Sequence, residues 1–187
     1  MKVADLMTRN VRACAIHESL NAAARIMWDH DCGCVPIVDE QGKLAGIITD
    51  RDICMAAYTQ GLPLEAIPLE RAMSVRVVSC ARGDDLETAH RLMRTHEIHR
   101  IPVVDSRGRL IGILSLSDLV NYSSGDRAAP SDAVEIAATI SAIRRRRKPA
   151  ALAASVPSNA DAAPAGESIK APKKTRARRR KPSADLP

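Results

Sequence analysis

The chain has 187 residues, a formal net charge of +6 and only 2% aromatic residues. With no phenylalanine, one tryptophan and two tyrosines, its core must be aliphatic, and the aromatic stacking platforms of single-strand and RNA binders are excluded. No apolar run reaches membrane-spanning length, Met1–Asp5 shows no apolar signal segment, and the five cysteines lack small-scaffold spacing, so reduced thiols in a cytoplasmic protein are the expectation.

In chain order, Val11–Ala15 reads as a short strand. Ser19 caps a helix running to about His30, in which Leu20, Ala23 and Met27 form one buried stripe. Gly33 is expected to stop that helix. Val35–Val38 is a strand whose Pro36 favours an edge or a first position. Asp39–Gly42 is a hairpin turn, Lys43–Ile48 the returning strand and Asp50–Thr59 a second helix. Gly61–Arg71 links this unit to a second: strand Val77–Cys80, helix Asp85–His96, strand Ile101–Val104, turn Asp105–Gly108, strand Arg109–Leu114 and helix Leu116–Tyr122.

The second unit copies the first at a constant offset of 66 positions, from Gly46 to Gly112 and from Asp52 to Asp118. Leu6–Cys54 aligns with Ala72–Val120 without a gap, with identities that include Met7/Met73, Cys14/Cys80, Pro36/Pro102, Asp39/Asp105 and Gly42/Gly108. Two β-α-β-β-α units so related imply an α/β (α+β) fold packed about a pseudo-twofold axis. Any site should be duplicated with the fold.

The chemistry concentrates at Gly46-Ile47-Ile48-Thr49-Asp50-Arg51-Asp52 and Gly112-Ile113-Leu114-Ser115-Leu116-Ser117-Asp118. Thr49 with Asp52, and Ser115 with Asp118, have capping-box spacing, which alone explains them. A helix start straight after a glycine-bearing strand is also an anion site, with N–H groups and the positive dipole end facing out. There a hydroxyl can bond phosphate, and a carboxylate one turn in can accept from two ribose hydroxyls. Arg51 inside the first motif suits a phosphate, or is a solvated surface charge.

Taken together, the β-α-β-β-α order, the Val35-Pro36 and Ile101-Pro102 steps, the Asp-x-x-Gly turns and the Gly-x-x-Thr/Ser-x-x-Asp motifs resemble a tandem pair of CBS domains, the Bateman module, over about residues 1–124. The resemblance implies adenosine-containing ligands (AMP, ADP or ATP, with S-adenosylmethionine as a further candidate) in clefts between the repeats. It implies that Asp52 and Asp118 hold ribose hydroxyls and that Thr49 and Ser115 face phosphate. Cys34-Val35 and Arg100-Ile101 would line the adenine. It also implies a homodimer of flat modules.

His30-Asp31-Cys32-Gly33-Cys34 invites a metal reading, but one intervening residue is too few for a zinc knuckle, and no metal ligand is expected. Cys14 and Cys80 occupy equivalent strand positions and can meet near the pseudo-twofold, which keeps a thiol sensor open. His90, His96 and His99 read as surface or cleft residues. No nucleophile–base–orienter set and no complete P-loop is visible, so the chain reads as a non-enzyme.

Charge is unevenly spread. Residues 1–124 hold 14 Lys/Arg against 16 Asp/Glu, and residues 125–187 hold 14 against 6. Pro130-Ser131-Asp132 starts a helix with Asp132 and Glu135 at capping-box spacing, an apolar stripe of Ile136, Ile140 and Ile143, and a cationic end at Arg144–Lys148. Beyond Pro149 the Ala/Pro/Lys/Arg composition predicts disorder. The cluster Lys173–Lys181 there reads as an inert solvated tail, a nonspecific nucleic-acid contact, or a contact to acidic protein or anionic lipid. The expected organisation is repeat 1 over 1–62, repeat 2 over 63–124, a linker and amphipathic helix over 125–148 and a tail over 149–187. The expected role is a regulatory sensor of adenine nucleotides that signals to a partner. The rival expectations are a nucleic-acid-associated protein on a dimerising scaffold, and a thiol or metal sensor.

Overall fold

The structure, a computed structural model, describes residues 1–125 and 129–144, all within one compact unit. The basic cluster Lys173–Lys181, the expected tail over 149–187 and the last residues of Arg144–Lys148 lie outside the described residues.

After a short helix, α1 (Val3–Leu6), the first repeat runs β1 (Cys14–Ala15), α2 (Leu20–Asp29), β2 (Cys34–Val38), β3 (Leu44–Thr49) and α3 (Asp50–Gln60). The second runs β4 (Cys80–Ala81), α4 (Leu86–His96), β5 (Arg100–Val104), β6 (Leu110–Ser115) and α5 (Leu116–Ser123), and α6 (Pro130–Arg144) follows. Each repeat makes a three-stranded sheet with the first strand parallel and the third antiparallel to the central one. The registers match: Cys34 faces Thr49 and Arg100 faces Ser115, and both sheets slip register at the same place, Ile37/Val38 and Val103/Val104. Gly42 and Gly108 turn the two hairpins with φ of 76° and 77°, a region glycine enters without a Cβ clash.

Three sequence expectations are corrected. Pro36 lies in the central strand, not at an edge. The sheet tolerates it because β1 pairs only with Ile37 and Val38, so the missing N–H falls before that ladder begins. The helix before β2 ends on His30, and the left-handed residue is Asp31 (φ 48°) rather than Gly33. Gly33 is small for another reason: a Cβ there would lie 3.3 Å from Asp50 Oδ2 and 3.7 Å from the Arg100 guanidinium. Finally, Asp132 accepts from the Ala129 N–H at 2.9 Å, while Glu135 reaches across to form an ion pair with Arg94 on α4.

Each repeat has its own aliphatic core. Cys14 belongs to the first, with Leu20, Val35, Ile37 and Ile48, and Cys80 to the second, with Met93, Ile101, Val103 and Leu114. The two thiols therefore do not meet at the pseudo-twofold. The cores are completed by an exchange. Val3 is fully buried in the second core, with Leu6 and Met7 packed against it, while Ile67 and Leu69, from the inter-repeat segment, are fully buried in the first. Backbone bridges repeat the exchange: Thr8 pairs with Ile113 and Ser74 with Ile47. Glycine makes this approach possible, since a Cβ on Gly112 would lie 2.7 Å from Met7 Sδ and one on Gly46 would lie 2.8 Å from Met73 Sδ. The pseudo-twofold passes between the hairpins, where the Leu44 N–H donates to Gly108 O and the Leu110 N–H to Gly42 O, both at 3.1 Å.

α6 packs along α4 and α5. Ile136 and Ile143 bury in the second core. His90, expected at the surface or in a cleft, is instead buried on α4, its Nδ1 2.9 Å from Thr139 Oγ1 on α6.

Candidate functional site

Thr49 and Ser115 end β3 and β6 in extended conformation and cap α3 and α5. Asp52 Oδ2 accepts the Thr49 N–H at 2.9 Å and its hydroxyl at 2.7 Å, and Asp118 Oδ2 accepts the same groups of Ser115 at 2.8 and 2.7 Å. The hydroxyl in turn accepts the aspartate N–H, at 3.3 and 3.1 Å. Both motifs are complete capping boxes.

The two helix starts are not equally open. In α3, all three leading N–H groups are engaged: Asp50 N–H on Gly33 O, Arg51 N–H on Asp50 Oδ1 and Asp52 N–H on Thr49 Oγ1. In α5, Leu116 N–H donates to His99 O and Asp118 N–H to Ser115 Oγ, while the Ser117 N–H meets no partner among the described residues. The sequence expectation of spare N–H groups at both starts therefore holds in part at α5 and not at α3.

Ser115 and Asp118 open onto a cleft of about 380 Å³. Cys34 and Arg100 line it as well, so four of the nine residues singled out from the sequence converge there. Val35 and Ile101 do not. They are fully buried in the two cores, because adjacent strand residues point to opposite faces. Thr49, Arg51 and Asp52 belong to the other motif and do not line this cleft, and Arg51 is exposed.

The remaining walls were not legible in the motif. Thr8, Asn10, Val11 and Arg12 come from the crossing N-terminal segment, and His30 and Cys32 from the turn before β2. The N-terminal four are there because of the exchange: Thr8 pairs with Ile113, and the chain then runs on along the cleft. The residue matches Thr8/Ser74 and Val11/Val77 were the available signal, but they do not say which repeat each segment joins. The cleft carries Arg12, Arg100 and His30 against one carboxylate, Asp118. Burial pushes the Cys34 thiol up to about 11, opposed by the nearby Arg100 charge.

A family model for the CBS domain matches residues 3–58 and 69–125. The chain belongs to the CBS-domain family. It is 39% identical over 127 residues to the CBS domain-containing protein YhcV of Bacillus subtilis, covering 67% of this chain and 89% of that one. Its fold is similar to a solved structure of CBSX2 in complex with AMP (TM-score 0.59, 26% identity, 66% of this chain and 96% of that one). It is also similar to the CBS domain pair of protein MJ0100 in complex with 5'-methylthioadenosine and S-adenosyl-L-methionine (TM-score 0.59, 29% identity, 68% and 98%). The tandem CBS pair is thus the architecture of a ligand-binding regulatory module, and both of these solved structures are complexes with adenosine compounds.

Proposed function

We propose that this CBS pair is a non-catalytic sensor of adenine nucleotides and that its α5 cleft is the principal site. One observation carries the reading. The Asp118 carboxylate, the Ser115 hydroxyl and the side chains of Arg12 and Arg100 line one cavity of about 380 Å³. The carboxylate suits a ribose; the cations and the Ser115 hydroxyl suit its phosphate. The α3 start, with Thr49, Arg51 and Asp52, is the weaker site because its N–H groups are engaged. Isothermal calorimetry with AMP, ADP, ATP and S-adenosylmethionine tests this. Heat with a nucleotide that is lost in Asp118→Asn supports it, and no heat with any adenosine compound ends it.

The signal is passed to a partner through a homodimer. Trp28 (88% exposed), Met55 and Tyr58 offer apolar surface for it on α2 and α3. No helix among the described residues is long and apolar enough to cross a membrane, in keeping with a cytoplasmic protein.

A second reading rests on charge. The excess of Lys/Arg in residues 125–187 supports nonspecific binding of nucleic acid, or of an acidic protein, by Arg144–Lys148 and Lys173–Lys181. A gel shift comparing the full chain with residues 1–144 decides it: a shift confined to the full chain and abolished by salt supports the reading.

A further inference from the structure

The α5 cleft has two thiols on its walls. Cys34 opens β2, and Cys32 stands two residues before it. Both line the cavity, Cys32 half-buried and Cys34 only 6% exposed. They lie close enough for the charge of one to act on the other. The remaining cysteines sit elsewhere. Cys14 and Cys80 are enclosed in the cores, where burial pushes them up to about 12 and about 11, and Cys54 is exposed on α3 outside the cleft. At the offset of 66, Ile98 and Arg100 replace Cys32 and Cys34, so the thiol pair has no counterpart in the other repeat.

Partial exposure of a thiol admits a reagent. Cys32 has that exposure, and the cleft carries Arg12, His30 and Arg100 on its walls. The same charges that suit a phosphate draw in an anionic electrophile. Burial keeps the proton on Cys34 and shields it from a reagent.

We propose that this cleft is thiol-gated: a small anionic disulfide enters it and exchanges with Cys32, and the resulting adduct and a nucleotide exclude one another. The inference rests on the nucleotide reading of the same cleft. In the step, the Cys32 thiol gives its proton to solvent and the thiolate attacks one sulfur of the disulfide. A new S–S bond forms to Cys32, the old S–S bond breaks, and the other half leaves as a thiolate that takes up a proton. The adduct then fills a cavity that has room for one small ligand. A reducing thiol reverses the exchange.

The test uses the reduced full chain and oxidised glutathione as probe, with peptide mass spectrometry and AMP calorimetry. The expected results are an adduct on Cys32, slowed at least tenfold by saturating AMP while Cys54 reacts unchanged, and modified protein whose residual AMP binding equals that of Asp118→Asn. Dithiothreitol restores the lost site, and the AMP affinity measured for Cys32→Ser is the same before and after exposure to the disulfide. Reaction at Cys54 alone, or unchanged AMP affinity with Cys32 modified, overturns the gate and leaves the nucleotide reading standing. Absence of heat with AMP, ADP, ATP and S-adenosylmethionine alike in the reduced protein overturns the nucleotide reading and the gate with it.

Discussion

His90 and Thr139 meet across the α4–α6 interface, ring Nδ1 to hydroxyl oxygen at 2.9 Å, in a position where Thr139 has no exposed surface and His90 almost none. Thr139 also donates to Glu135 O at 2.9 Å, so its hydroxyl has a single proton already committed. The His90 Nδ1 is then the donor of the pair, and burial favours the neutral ring.

Burial holds His90 below its ordinary value of 6.5, with the Arg94 charge adding to the effect and Glu135 and Asp132 opposing it. The unfolded chain binds that proton more readily than the folded one. This part of the stability is therefore complete above pH 6.5 and is lost as pH falls below it. Melting curves from pH 8 to 5 should show a midpoint that drops below pH 6.5. His90→Gln should show a shallower drop over the same range.

Thr139→Val keeps the shape of the side chain but leaves the buried imidazole donor unpaired. The expected cost is about 1–3 kcal/mol, read as a lower denaturant midpoint. A variant as stable as the parent would mean that the ring finds water at that interface.

Asp52→Ala and Asp118→Ala each remove a capping box, and each should cost about 0.5–2 kcal/mol. Their binding effects should differ. Asp118→Ala loses the α5 cleft, whereas Asp52→Ala leaves nucleotide binding there within twofold. Thermal melts and calorimetry on both variants separate the cap from the ligand, since equal losses of binding would point to stability alone.

Gly112→Ala places a Cβ 2.7 Å from Met7 Sδ and 3.0 Å from the Thr8 backbone oxygen, and Gly46→Ala places one 2.8 Å from Met73 Sδ and 3.3 Å from Ser74 O. Thioethers can turn aside, but backbone cannot without moving the strand. Gly112→Ala should therefore be the more costly, at about 1–3 kcal/mol, and it should also weaken nucleotide binding, because Thr8 leads into the cleft wall. Paired chemical denaturation and binding measurements check both parts.

Trp28→Ser with Tyr58→Ser should convert a dimer to a monomer in sedimentation velocity at micromolar concentration without lowering the melting midpoint of the monomer. An unchanged sedimentation coefficient would remove α2 and α3 from the interface.

What the sequence made legible is what neighbours along the chain determine. The strand–helix order, the capping boxes at Thr49 and Ser115 and the glycine hairpins all follow from spacings of a few residues, and the repeat itself from one constant offset. Arg12 and Thr8 were missed as cleft residues because their place depends on a segment that crosses to the other repeat. His90 was misplaced because its cover, α6, lies 49 residues away from it at Thr139. Pro36 was misplaced because an edge rule cannot foresee that β1 is only two residues long. At α3 the motif promised an open helix start, yet the Gly33 carbonyl and the Asp50 carboxylate occupy it.

The exchange of segments also means that neither repeat is a detachable part. A cut at Gly61-Leu62 would leave each fragment holding the strap its sibling needs, with Val3 stranded on one piece and Ile67 and Leu69 on the other. Either half alone would present an unroofed aliphatic face to water, yet the two expressed together carry everything required to find each other. The chain is held like two hands clasped at the wrists, and its unit of folding is the pair.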